Sequence, residues 1–139
     1  MNLSKDFSLG EMCFTSVKAD NTPTQAVTVA LRELVENVLQ PARDMLGSAI
    51  TVNSGYRSAA VNKAVGGAAN SQHLKGEAAD MICADNKKLF EIIRDNFVFD
   101  QLINEYDYSW VHVSYKTHGN RNEVLKAVKE NGKTKYVRI

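Results

Sequence analysis

Ser71-Gln72-His73-Leu74-Lys75-Gly76-Glu77-Ala78-Ala79-Asp80 and, downstream, Trp110-Val111-His112-Val113-Ser114 are the two stretches on which the fold turns. Trp110 to Tyr115 alternates residue by residue, the period of a half-buried strand. Trp110, His112 and Ser114 therefore share one face, and Val111, Val113 and Tyr115 the other. Valines on both sides of His112 belong in a core, which turns the histidine toward a cleft. Ala78 to Cys83 reads as a second, buried strand, with Asp80 on the same face as Ala78 and Ile82. Ala78 is small and leaves space beside the carboxylate. If the two strands pair, Asp80 and His112 stand side by side, and His73 reaches in from the loop over 68–76.

A carboxylate buried between apolar neighbours is costly without a cation. Two imidazoles and one carboxylate from separate segments are the donor types that hold a catalytic zinc with one coordination position open. Such a site keeps net positive charge, brings the pKa of water to roughly 7 and polarises a carbonyl. The expectation is one Zn2+ ion on His73, Asp80 and His112, and hydrolysis of a peptide bond by activated water. His118, between Thr117 and Gly119, reads as a solvent-exposed turn residue.

Working outward, Thr22-Pro23-Thr24-Gln25 reads as a helix start, with Thr22 as cap and Pro23 in the first helical position. Val27, Leu31, Leu34, Val35, Val38, Leu39, Ala42, Met45 and Leu46 follow at helical spacing. Gly47 stops the run, and Pro41 should kink or restart it. Phe7, Leu9, Met12 and Phe14 are candidate anchors for the first twenty residues. Residues 49–54 predict a strand ending in the turn Ser54-Gly55-Tyr56-Arg57, and Ser58 caps a short helix that Gly66-Gly67 ends. Asp85 caps a helix to about Asn96, and Gln101 to Tyr106 is another strand. Glu123–Val128 and Tyr136–Ile139 suggest a closing hairpin about Asn131-Gly132, although 123–129 also suits a helix. Helices before and between antiparallel strands indicate an α+β class.

The chain of 139 residues carries a net charge of +1, with 44% hydrophobic and 24% charged residues, the balance of one globular domain spanning 1–139. That charge gives no field to attract a polyanion, so nucleic acid is not expected as a partner. No apolar run approaches the ~18 residues of a membrane span, and no membrane partner is expected. Met1-Asn2-Leu3-Ser4-Lys5-Asp6 lacks the apolar core of a signal peptide, so export by that route is not expected. Cys13 and Cys83, with no Cys-x-x-Cys pair, read as free thiols, buried or partly so.

Ser54-Gly55-Tyr56-Arg57-Ser58, Val61-Asn62, Val65-Gly66-Gly67, Ser71-x-His73-x-x-Gly76-x-Ala78-x-Asp80, Phe99-Asp100-Gln101-Leu102-Ile103 and Trp110-Val111-His112-Val113-Ser114 occur in this order. Together they resemble the zinc D-alanyl-D-alanine carboxypeptidases and the related phage endolysins that cut peptidoglycan stem peptides. The closest likeness is to the small single-domain branch found in bacterial genomes and phages. The resemblance runs from about Phe7 to the C-terminus. It implies a Hedgehog/DD-peptidase-like domain, an antiparallel sheet with flanking helices, and His73, Asp80 and His112 as zinc ligands. It also implies that Arg57 sits over the site and binds a substrate carbonyl or carboxylate. Peptidoglycan stem peptides are the implied partner and a monomer the expected state. Synthesis in the cytoplasm followed by phage-type release or tail delivery would bring the chain to the wall.

Many relatives carry an acidic residue three positions before the last histidine, where this chain has Ser109. A serine hydroxyl does not take a proton from water near neutral pH. Glu105 is the first substitute as general base, Asp107 the second and Glu77 the third. Ser71 and Gln72, beside the first ligand, are expected to orient it or line the substrate cleft, and Tyr56 and Trp110 to wall it. An inactive zinc-binding module for wall binding or phage structure, and a zinc-stabilised interaction domain of Hedgehog type, remain the alternatives. D-Ala-D-Ala, L-Ala-D-Glu and cross-bridge bonds are all open as targets.

Overall fold

Thr24, not Thr22, caps the long helical run: its hydroxyl accepts the Val27 N–H at 3.2 Å, and helix α2 spans Gln25–Leu34. Thr22 is held in the preceding turn instead, its hydroxyl donating to Asp20 at 2.6 Å. The computed structural model describes residues 1–139. Ahead of α2 lies the short helix α1, Leu9–Met12, closed by a capping box between Ser8 and Glu11. Phe7 and Met12 are buried as the anchor reading requires, but Phe14 is 68% exposed and anchors nothing.

Pro41 restarts the run as expected, and the means is a wide turn over Val35–Leu39 between α2 and helix α3, Gln40–Leu46. The proline has no N–H to continue the ladder, and the turn before it widens until the Gln40 N–H reaches the Val35 carbonyl, five residues back. Val27, Leu31, Leu34, Val35, Val38, Leu39, Ala42 and Leu46 stay buried across the break, whereas Met45 turns outward at 52% exposure. Gly47, at φ +75°, ends the run in the left-handed conformation that suits glycine. Two further helices follow as read, α4 over Ala59–Ala64 capped by Ser58 and α5 over Asn86–Asn96 capped by Asp85.

Six strands form one sheet: β1 Thr51–Ser54, β2 Ala78–Ile82, β3 Gln101–Glu105, β4 Trp110–Ser114, β5 Glu123–Glu130 and β6 Lys133–Arg138. Their order is β1-β2-β4-β3-β5-β6, antiparallel throughout except for the parallel pair β3–β5. The segment 123–129 is thus strand, and Asn131 and Gly132, both at positive φ, make the hairpin turn. Period two divides the sheet. Val52, Ala79, Met81, Leu102, Val111 and Val113 enter the buried cluster with the residues of α2, α3 and α5. The opposite face carries Asp80, Ile103, Glu105 and His112. This is an α+β fold with a mostly antiparallel sheet. Cys13 and Cys83 are free and half-buried.

Candidate metal centre and its cleft

Strand register brings two of the candidate donors together. Asp80 on β2 is paired with His112 on β4, and His112 in turn with Ile103 on β3. The Asp80 Oδ1 to His112 Nδ1 distance is 2.8 Å. His73 arrives from a single 3₁₀ turn, Gln72–Lys75, and its Nε2 lies 3.3 Å from Asp80 Oδ2. Ser71 caps that turn by accepting the His73 N–H at 3.2 Å. Gly76 closes it at φ +74°, where a Cβ would stand only 2.8 Å from the Val27 carbonyl oxygen. Turn and helix α2 are therefore in contact, and glycine is what permits it.

His73 is fixed from behind by the turn after β1. Its Nδ1 lies 2.7 Å from the Gly55 carbonyl oxygen, and its own carbonyl accepts the Arg57 N–H at 3.0 Å. With Nδ1–H donating to Gly55, Nε2 is the nitrogen turned toward Asp80 and the one that would bind an ion. Gly55 has no alternative at this position, because a Cβ would stand 2.2 Å from the Met12 carbonyl oxygen.

The His73, Asp80 and His112 donor atoms all lie within 4.8 Å of one another. Burial raises the Asp80 carboxyl, but hydrogen bonds from His112 and His73, with their charge, outweigh it and hold the group below the ordinary carboxylate range. A carboxylate kept ionised between two imidazoles, one with its tautomer set by a backbone carbonyl, is a donor set that suits a divalent ion such as zinc.

Around the three residues opens a cleft of about 800 Å³, whose lining includes Arg57, Ser71, Gln72, Glu105 and Trp110. Glu105 is paired with Trp110, two residues along the strands from the Ile103–His112 pair and so the next row on the same face, and is 6% exposed. Burial pushes its carboxyl up to about 7, with His112 opposing and the Asp80 charge reinforcing the rise. Arg57 has its Nε buried without a partner, and desolvation lowers its pKa while Asp80 partly restores it.

The other sequence candidates lie elsewhere. Tyr56 does not wall the cleft; its ring belongs to the buried cluster, where its N–H donates to the Met12 carbonyl at 2.8 Å. Asp107 is exposed on the β3–β4 turn, and Glu77 is occupied by the Gln72 amide. Ser109 is exposed, its hydroxyl donating to the Tyr106 carbonyl at 2.8 Å. His118 is exposed as read. The turn itself is unusual, because Tyr106, Asp107 and Tyr108 all have positive φ. Left-handed backbone costs roughly 1–2 kcal/mol per L residue. It is held by Asn104, which accepts the Tyr108 N–H at 2.6 Å, and by Asn86, which donates to the Tyr108 carbonyl at 2.9 Å.

Among the cleft residues that escaped the sequence reading are Arg121, Leu125 and Tyr136. Arg121 is clasped by Asp100, with Nε to Oδ1 at 2.9 Å and Nη2 to Oδ2 at 2.7 Å. Asp100 is wholly buried, and such a carboxylate demands a cation, which is the signal that points to Arg121.

Comparison with known proteins agrees with this geometry. Over 44 residues the chain is 52% identical to the zinc D-Ala-D-Ala carboxypeptidase of Streptomyces albus G. That stretch covers 31% of this chain and 17% of the relative, so the likeness spans a small part of the longer protein. A family model described as Peptidase M15 matches residues 5–114, which include His73, Asp80, His112, Glu105 and Arg57. On that match, which takes in most of the 139 residues, the chain belongs to the peptidase M15 family.

Proposed function

We propose that this protein is a zinc-dependent peptidase that hydrolyses peptide bonds in the stem peptides of bacterial peptidoglycan, as a single domain of the Hedgehog/DD-peptidase type. The observation that carries the reading is the registered Asp80–His112 pair completed by His73, with a second carboxyl group, Glu105, one row away in the same cleft. His73, Asp80 and His112 would hold the ion. Zinc supplies Lewis acidity, lowering the pKa of water and polarising a carbonyl oxygen.

The remaining work falls to the chain. Glu105, with its carboxyl near 7, is suited to accept a proton from the attacking water and to return it to the leaving amine. Arg57, a residue of the cleft lining, would donate to the substrate carbonyl as negative charge develops there. Ser71 keeps the His73 turn closed, and Trp110 forms part of the cleft wall. Glu105 in the cleft weakens the case for an inactive module, which rested on Ser109.

The test is mass spectrometry of muropeptides after purified peptidoglycan is incubated with the zinc-loaded protein, beside a chelated control. New zinc-dependent fragments are expected, and their masses name the scissile bond. Unchanged walls of several cross-link types would overturn the reading. Glu105→Gln should keep equimolar zinc and lose about 10²- to 10⁴-fold in turnover.

A further inference from the structure

Beyond residue 114, where the family match ends, the loop before β5 contributes Arg121 to the cleft, and the β5–β6 hairpin contributes Leu125 and Tyr136. Arg121 differs from an ordinary surface arginine in how it is held. Two of its nitrogens grip Asp100, whose carboxylate is wholly buried, and its backbone N–H donates to the same carboxylate at 3.1 Å. Three hydrogen bonds to one immobile group fix the guanidinium, yet its side chain stays 51% exposed and lines the cleft. Nη1 is not among the atoms that Asp100 engages.

The charges at this end of the cleft leave an excess. Asp100 is shared between Arg121 and Lys116, whose Nζ lies 3.8 Å away. Glu123 is matched by Arg138 at 2.6 Å and also accepts the Gln101 amide at 2.6 Å. Three cations against two carboxylates leave one positive charge beside the cleft. It lies at the opposite end of β3 from Glu105, since Gln101 is paired with Glu123 where the strand begins and Glu105 with Ala127 where it ends. From the Ile103–His112 row to the Gln101 row is about 7 Å, the reach of roughly two extended residues.

We infer that Arg121 is a substrate-binding residue that takes a free carboxylate of the peptide, borne within about two residues of the scissile bond, with Asp100 as the residue that positions its fork. This rests on the peptidase reading and deepens it by naming an acidic peptide as the preferred substrate. A guanidinium already oriented by a buried carboxylate loses little freedom when it binds a second one, and planar fork geometry favours carboxylate over carboxamide.

The experiment uses three synthetic stem peptides: one with all carboxylates free, one amidated at its C-terminus, and one amidated on its glutamate α-carboxyl. The zinc-loaded wild type should cut one of the two amides about ten- to a hundredfold less efficiently than the free acid, chiefly through KM. Arg121→Gln should erase that preference by slowing the free acid alone. Arg121→Lys keeps a cation beside buried Asp100 and guards against a variant that fails to fold; it should retain only a severalfold preference, because lysine has no fork. Equal cleavage of all three peptides by the wild type would overturn the inference and leave the peptidase standing. So would an undiminished preference in a folded Arg121→Gln or in Arg121→Lys. If the wild type cuts none of them and no peptidoglycan either, the peptidase reading fails and this inference falls with it.

Discussion

The two faces of the sheet are built from the same strands and have opposite characters. On one, Ala79, Met81, Leu102, Val111 and Val113 are sealed under the helices, each at 0% exposure. On the other, at alternating positions of the same strands, stand Asp80, His112 and Glu105 around an open cleft. The first face gains stability from burial. The second holds groups that oppose it: a carboxyl driven up to about 7 and, at the strand end beside it, three successive residues in left-handed backbone. Alternation along a strand thus lets one short segment carry both duties, with the packed face holding the chemical face in register.

If the division is real, substitutions at neighbouring positions should separate cleanly. His112→Ala should reduce bound zinc from equimolar to near zero after desalting and lower peptidase activity by about 10³-fold or more, while the metal-free protein unfolds within about 2 kcal/mol of wild type. Elemental analysis and urea unfolding check the two halves. A collapse of the metal-free fold would show that the faces are not separable.

Leu102→Ala, on the opposite face of β3 from Glu105, should cost about 2–5 kcal/mol in urea unfolding. Zinc stoichiometry and kcat in the folded fraction should hold. Loss of zinc at full stability would break the comparison from the other side.

Glu105 sharpens it through pH. In the folded, metal-free protein its carboxyl keeps the proton up to about 7, whereas the ordinary value is 4.5. Between those values the folded state binds more protons than the unfolded one, so stability falls as pH rises and levels off above 7. The loss is on the order of 3 kcal/mol. Glu105→Gln should remove that slope and be the more stable protein at pH 8, as read from urea midpoints across pH 4–8. Asp80 and Asp100, both held below the ordinary range, act in the opposite sense and lose their contribution only as the pH falls below about 4. The smallest effect is expected at Ser109, exposed and outside the cleft. Ser109→Ala should change stability by less than about 0.5 kcal/mol and activity by less than about twofold.

What the sequence disclosed follows the same division. The alternation in Trp110–Ser114 and the apolar run around Asp80 are periodic signals, and they predicted the Asp80–His112 pair together with the face each residue occupies. Glu105 was reachable because a short hairpin returns β3 onto β4. Features that depend on non-periodic contacts were not legible. Thr22 and Thr24 are both sound caps, and only the Asp20 contact with Thr22 decides between them. Tyr56 follows a glycine turn whose direction is set by Met12, far away in sequence, which sends its ring into the core. Nothing in Tyr106-Asp107-Tyr108 announces left-handed backbone, which is imposed with the help of Asn86 and Asn104. Arg121 lies in a loop without pattern, and its role emerges only once Asp100 is seen to be buried.

The support behind His73 bears on how the molecule is made. Met12 abuts Gly55, Gly55 orients His73, His73 faces Asp80, and Asp80 pairs with His112. Apart from the local His73–Asp80 step, each link joins residues that a growing chain must bring back from a distance. Contacts of this kind form late, after the entropy of closure has been met by the core. The three donors therefore meet only when folding is nearly finished, and a partly folded chain offers an ion at most isolated imidazoles and carboxylates. Metal uptake would then act as a ratchet on the completed fold, adding stability by mass action to the native state alone and slowing its return.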